Sequence, residues 1–224
     1  MYNINPMPPQ IDKNLIDKLA QVDVGTIGHF LDDGFMQPSI RQQMPGSLIA
    51  GTAITVHSPF PDSVIGHYAL KFIRPGDILV IDRGDDRKVA CWGGGTSLAA
   101  AKLGLTGLIM DGAGNDISES NEIGLPIWCD GVTGITTRYR GFGGSLNVPL
   151  QCGGVAVNPG DAILADENGV LVIPAEKLEV VVGEAIAFAA KEKAFRELYS
   201  GAGPYPIYPD LTGASDIAEG KKPD

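Results

Sequence analysis

Cysteine is scarce in this chain, and Cys91, Cys129 and Cys152 stand far apart with no CxxC pair. That excludes a disulfide scaffold and predicts reduced thiols in a cytoplasmic protein. Histidine is as rare, and His29, His57 and His67 show no HExxH-type ligand spacing, so each is expected at the surface or satisfied in the core. No apolar run reaches the roughly 18 residues that span a bilayer, which predicts no membrane partner. The opening MYNINPMPPQ has neither the charged nor the apolar region of a signal peptide. GxSxG, a P-loop and a strand-to-helix GxGxxG are all missing. Lys71 and Lys102 sit on ordinary helix patterns, and no lysine stands out as a Schiff-base nucleophile. Basic residues number 17 against 27 acidic ones, a net charge of −10. Such a balance argues against nucleic acid as a main partner, because phosphate binding needs a basic face.

Glycine is abundant instead. With 30 glycines and 16 prolines the chain must turn tightly and often. Apolar residues at Ile11, Leu15, Ile16 and Leu19 have helical spacing. Asp23 caps a second predicted helix that Gly34 stops. Leu48–Val56 reads as a strand, and Pro61-Asp62 opens a helix to about Phe72 with Asp62 as its cap. Arg74-Pro75-Gly76-Asp77 fits a type II turn, followed by a buried strand at Ile78–Ile81. Leu125–Trp128 is another strand. Residues 131–149 are rich in Gly, Thr and Arg and read as irregular. Strands are predicted at Gly154–Val157, Ala162–Ala165 and Val170–Ile173, the last two joined by the hairpin signal Glu167-Asn168-Gly169. Pro174 precedes a long helix to Tyr199. PGDILVID and PGDAILAD resemble each other, a hint of two similar units. Together these predict one α/β domain over residues 1–200, with a mixed central sheet flanked by helices. Residues 1–10 form an N-terminal arm and residues 201–224 an extended or disordered tail.

The stretch WGGGTSLAAAKLGLTGLIMDGAGND, from Trp92 to Asp116, carries the chemistry. Gly93, Gly94 and Gly95 bare their backbone N–H groups before a helix over Thr96–Lys102, with Gly104 as its C-cap. A glycine loop at a helix start is a ready anion site, or simply a turn. A strand from Gly107 ends in Asp111, and Asp116 follows at the next helical pattern. Ligands gather beyond the carboxyl ends of strands in open α/β sheets. An anion cradle and two carboxylates at one rim suit a divalent metal holding an anionic substrate. Asp116 is the first choice as metal ligand. The alternative is an N-cap, since Asp116-Ile-Ser-Glu119 is a capping-box pattern. Asp111 is either a second acid near the metal or a buried turn residue bonded to the GAGN backbone. Asp82, Asp85 and Asp86, with Arg83 and Arg87, read as a solvated loop, with Asp82 or Asp85 as alternative supports for the metal.

LIAGTAITV, RPGDILVID, the Trp92–Asp116 stretch, GLPIWCDG and NPGDAILADENGVLVIP occur in the order seen in RraA-like proteins, and the resemblance spans about residues 12–200. That family includes class II 4-hydroxy-4-methyl-2-oxoglutarate aldolases, which also decarboxylate oxaloacetate. The resemblance implies an α/β fold like that of swivelling phosphohistidine domains, in a homotrimer or a pair of trimers with active sites between subunits. It implies a Mg²⁺ or Mn²⁺ ion that binds the pyruvate moiety of a 2-oxo acid and stabilises the enolate as a C–C bond breaks. The substrate carboxylate would rest on Gly93, Gly94, Gly95 and Thr96.

The family motif D-G-x-x-R-D stands here as Asp111-Gly-Ala-Gly-Asn115-Asp116. Asp116 matches the metal-ligand aspartate. Asn115 replaces the substrate-binding arginine, and a neutral amide cannot offset enolate charge as a guanidinium does. Aldolase members also carry an acid in the glycine loop, where Gly94 aligns. A further acid comes from a neighbouring subunit's C-terminal helix, with Glu192 the nearest match and Glu197 the fallback. Arg138 or Arg140 is a candidate for the lost positive charge. The expected function is therefore a divalent-metal lyase of a pyruvate-containing 2-oxo acid. The alternative is a non-catalytic relative that inhibits a ribonuclease by binding it.

Overall fold

A computed structural model describes residues 1–199 and 219–220. They fall into two units, Met1–Ile186 and Ala187–Asp224. The strands are β1 (Tyr2–Ile4), β2 (Arg41–Gln42), β3 (Ile49–His57), β4 (Asp77–Asp82), β5 (Gly107–Asp111), β6 (Ile127–Cys129), β7 (Gly144–Leu146), β8 (Leu150–Cys152), β9 (Val155–Val157), β10 (Ala162–Asp166) and β11 (Gly169–Ile173). The helices are α1 (Lys13–Leu19), α2 (Val24–Ile27), α3 (Val64–Ala69), α4 (Gly94–Lys102), α5 (Ile117–Ile123) and α6 (Leu178–Tyr199).

The first unit is built on one mixed sheet in the order β1-β7-β3-β4-β5-β6-β2. The run β3-β4-β5-β6 is parallel, as the apolar strand runs separated by helices predict. β10 pairs antiparallel with β3 and with β11. The two similar segments thus flank one strand: Thr52 of β3 registers with Asp77 of β4 on one side and with Ala162 of β10 on the other.

Alternation along the strands divides the core. Leu79, Ile81, Leu108 and Met110 join Ile65, Ala69 and Ala100 of the helices in one buried cluster. Ile78, Val80 and Ile109 pack with Trp128, Ile163 and Val172 in another. Both faces of β4 and β5 are covered, which is why DILVID and GLIMD read as unbroken apolar runs rather than alternating ones.

Several boundaries depart from the sequence reading. α2 ends at Ile27 with Gly28 as its cap, well short of Gly34. Gly34 is a turn at φ +92° where a Cβ would strike the Val172 carbonyl, because the chain crosses β11 there. Ser63, not Asp62, precedes α3, and a 3₁₀ turn completes the helical stretch to Phe72. Residues 131–149 are not wholly irregular, because β7 lies among them. The N-terminal arm pairs as β1, parallel to β7. The tail expected at 201–224 lies outside the described residues apart from 219–220.

Candidate functional site

Three buried hydroxyl and indole groups fix the site's framework. Trp92 Nε1 donates to Ser97 Oγ at 3.0 Å, and Ser97 Oγ lies 2.8 Å from Ser120 Oγ. Ser120 Oγ in turn donates to the Asp116 carbonyl at 3.1 Å. Ser97 sits on α4 and Ser120 on α5, so this chain locks the glycine loop to the Asp116 turn.

The loop starts its helix earlier than expected, at Gly94. Gly93 N donates to Thr96 Oγ1 at 3.0 Å, and Thr96 Oγ1 donates to Gly93 O at 2.8 Å. Gly94 N donates to Asp116 Oδ2 at 3.2 Å. The start of a helix leaves its first N–H groups without intrahelical partners, so those of Gly95 and Thr96 emerge at its end. A Cβ on Gly93 would come within 2.8 Å of Asp116 Oδ2, and one on Gly94 would overlap the Glu119 carboxylate. A side chain at 93 or 94 would therefore have to displace the end of Asp116 or of Glu119.

Asp116 occupies the N-cap position of α5 but makes no side-chain cap, which overturns the capping-box reading. The reason is its backbone. At φ 52° and ψ 41° it is left-handed, a costly conformation for a residue with a Cβ. That twist turns the carboxylate away from the α5 N–H groups and onto the glycine loop. Its side chain is exposed.

Asn115 sits beside it. Its backbone N–H donates to Trp92 O at 3.0 Å, and its side-chain Nδ2 donates to Thr133 O at 2.7 Å. The segment after β6 is thereby tied to the site, and it is stitched further by Ala90 N to Ile135 O and Thr137 N to Ala90 O. Buried Asp62 holds its far end, accepting from the N–H groups of Arg140 at 3.1 Å and Phe142 at 2.6 Å.

The result is a cavity of about 420 Å³ lined by Gly93, Gly94, Gly95, Thr96, Asn115 and Asp116 on one side of the sequence and by residues 136–139 on the other, with Ser63 and His67 of the α3 region. Every expected loop residue is there. Of the two candidate cations, Arg138 lines the cavity, whereas Arg140 lies over the Phe142 ring at 5.7 Å. His67 was not singled out by sequence. It reaches the cavity because its ring meets Tyr139 at 5.0 Å between centroids, a contact across a sequence distance no local pattern reveals. Its Nδ1 lies 2.9 Å from Ser63 O, a carbonyl that can only accept, so Nδ1 is the donor. Cys91 also lines the cavity, but burial pushes its thiol up to about 11, so it is no ready nucleophile.

Other candidates go elsewhere. Asp111 does not line the cavity: its carboxylate pairs with Arg87 at 2.7 Å and accepts from Gly153 N at 2.8 Å. Asp82 pairs with His57 Nδ1 at 2.7 Å. The segment after β4 is only in part the solvated loop expected: Asp85 and Arg87 are exposed, but Arg83 is fully buried and bonded to Asp86 at 2.6 Å and to the Phe60 and Ser58 carbonyls. Glu192 lies on α6, 3.6 Å from Arg196, and Glu197 is exposed on the same helix.

Among the described residues no three His, Cys, Asp or Glu converge as a metal cage. The oxygen donors at the glycine loop suit a hard divalent cation that keeps most of its water, as Mg²⁺ does, and not a closed Zn²⁺ site.

The model of the RraA-like family, described as Aldolase/RraA, matches residues 14–172. This chain belongs to the RraA-like family. A Halalkalibacterium halodurans member provisionally named a 4-hydroxy-4-methyl-2-oxoglutarate aldolase is 37% identical over 146 residues, 65% of this chain and 69% of that one. The Thermus thermophilus 4-hydroxy-4-methyl-2-oxoglutarate aldolase is 31% identical over 115 residues, 51% of this chain and 70% of its own. A Streptomyces coelicolor structure, described as an unusual member of the RNase ES inhibitor RraA family, superposes with a TM-score of 0.75 at 26% identity, covering 84% of this chain and 98% of that one. The mixed α/β fold is thus that of RraA-like proteins. No helix among the described residues is long and apolar enough to cross a membrane.

Proposed function

We propose that this RraA-like chain is a divalent-metal-dependent carbon–carbon lyase that cleaves or decarboxylates a pyruvate-containing 2-oxo acid. 4-Hydroxy-4-methyl-2-oxoglutarate and oxaloacetate are the model substrates. The observation that carries this is the strained Asp116, turned from capping its own helix to face the glycine loop on the wall of a cavity.

Asp116 would hold Mg²⁺ or Mn²⁺, which when bound supplies Lewis-acid stabilisation of negative charge. The chain's own groups do the rest. The N–H groups of Gly95 and Thr96, at the positive end of α4, receive the substrate carboxylate. Arg138 provides the positive charge that Asn115 lacks. Asn115 keeps the 131–139 segment in place through Thr133, so the cavity retains its wall. His67 Nε2 is the group on that wall able to take up or return a proton. The assembly reading, a homotrimer or hexamer in which Glu192 of a neighbouring α6 reaches the site, is part of the same proposal.

Pyruvate release from the two model substrates, followed with and without Mn²⁺, tests the proposal. Metal-dependent turnover supports it. Absence of both turnover and metal binding favours the second reading, a protein that binds a ribonuclease, for which the likeness to the RNase ES inhibitor family member speaks.

A further inference from the structure

Three sulfur-bearing side chains meet beneath the floor of the cavity. Cys91 Sγ donates to Met110 Sδ at 3.2 Å. Met110 on β5 and Cys129 on β6 are partners across neighbouring parallel strands, so their side chains leave the sheet on the same face. A Cβ on Gly114 would lie 3.4 Å from Cys129 Sγ and 3.5 Å from Met110 Cε, so both side chains end at that one glycine. All three residues are buried in one core cluster. Of the three, Cys91 also lines the cavity, which gives the cluster a way in from solvent. Cys152, the remaining thiol of the chain, belongs to the cluster on the other face of the sheet. Fully buried Arg83 acts on Cys91 through its charge, which favours the thiolate, and its Nε has no hydrogen-bond partner among the described residues.

We propose that Cys91, Met110 and Cys129 form a binding site for a soft monovalent cation of the Cu⁺ class, with two thiolates and one thioether as ligands. Thiolate and thioether sulfur select such ions over the hard ions that carboxylates hold. The site is chemically separate from the oxygen donors at Asp116 and does not depend on the lyase reading. Burial pushes both thiols up to about 11, against the pull of Arg83 on Cys91. Each thiol must therefore pass its proton to water as it takes the ion, and only an ion that binds sulfur tightly drives that exchange. Two thiolates and one Cu⁺ leave a single negative charge, which the Arg83 guanidinium partly offsets. Sulfurs that merely filled the core would behave as small hydrophobes and take up no ion.

The test is anaerobic transfer of Cu⁺ to the reduced full chain from its bicinchoninate complex. Loss of the complex's colour and growth of the thiolate-to-copper band in the near ultraviolet follow the transfer. The wild type should withdraw a single ion per chain. Cys91→Ala and Cys129→Ala should each abolish the withdrawal, and Met110→Leu, which keeps the volume, should weaken it. Cys152→Ala should withdraw Cu⁺ as the wild type does. X-ray absorption at the copper edge of the loaded wild type reads the same site without any variant, and a shell of three sulfurs is expected. A wild type that leaves the complex intact overturns the proposal and makes the cluster core packing. Binding that survives in Cys91→Ala but is lost in Cys152→Ala overturns it as well, as does a copper shell containing nitrogen or oxygen.

Discussion

The Ser97 and Ser120 hydroxyls meet at 2.8 Å inside the protein, and both side chains are fully buried. One stands on the helix that opens with the glycine loop, the other on the helix that follows Asp116. Together with the bonds from Gly94 N to Asp116 Oδ2 and from Asn115 N to Trp92 O, their contact sets how far the loop lies from the carboxylate.

Ser120→Ala should therefore cost stability and function together. A buried hydroxyl left without its partner costs roughly 1–3 kcal/mol. The midpoint of urea unfolding should fall, and Mn²⁺ affinity should fall with it because Asp116 loses its anchor. An unchanged midpoint would show that water replaces the bond and that the two helices need no such link.

Asp116→Gly should separate the two properties. Glycine is at ease at φ 52°, so relieving the left-handed strain should raise stability by about 1 kcal/mol. Metal binding should disappear. A variant less stable than the wild type would mean that the bond from Gly94 N outweighs the strain.

Arg138→Gln and Arg140→Gln form a matched pair. Only Arg138 lines the cavity, so its loss should lower pyruvate release on the order of 10²-fold, the usual effect of removing one transition-state contact. Arg140→Gln should leave turnover near the wild-type rate. Equal losses in both would point to the stiffness of the segment rather than to a charge.

Asp62 should give the cavity wall an acid limit. Burial raises its pKa, but the N–H groups of Arg140, Val64, Phe142 and Gly141 together hold it below the ordinary 3.8. A carboxyl that is more acidic folded than unfolded adds its full stability above the unfolded pKa, and loses it as pH falls through the folded one. The melting temperature should thus drop as pH goes below about 4, and Asp62→Asn should flatten that drop. A parallel acid limb in wild type and variant would place the sensitivity elsewhere.

Much of this was legible in the chain. The strand at Gly107, the Gly104 stop, the hairpin before Val170 and the glycine loop all follow from local pattern, because glycine and β-branched residues punctuate at short range. What local pattern hid was set by distant partners. Asp116 reads as a cap because Glu119 has capping-box spacing, yet both acids face glycines more than twenty residues away. Asp82 and Arg83 read as solvated because charge marks surfaces, and only the folded chain shows Arg83 among carbonyls. Asn115 reads as a lost arginine, whereas its amide is a tether for Thr133. His67 has no local signal at all, since Tyr139 arrives from a different loop.

The short strands at the margins of the sheet have a consequence for handling the protein. β1 covers β7 and the two residues of β2 cover β6, while Met36 N and Gly34 O hydrogen-bond to Val170 O and Val172 N on β11. Each exposed rim is thus too brief or too occupied to template another chain. Trimming residues 1–5 would strip β7 of its cover. Unpaired backbone groups beside His57 would then invite strand-to-strand aggregation at high concentration, and the cavity wall that ends at Phe142 would lose its neighbour.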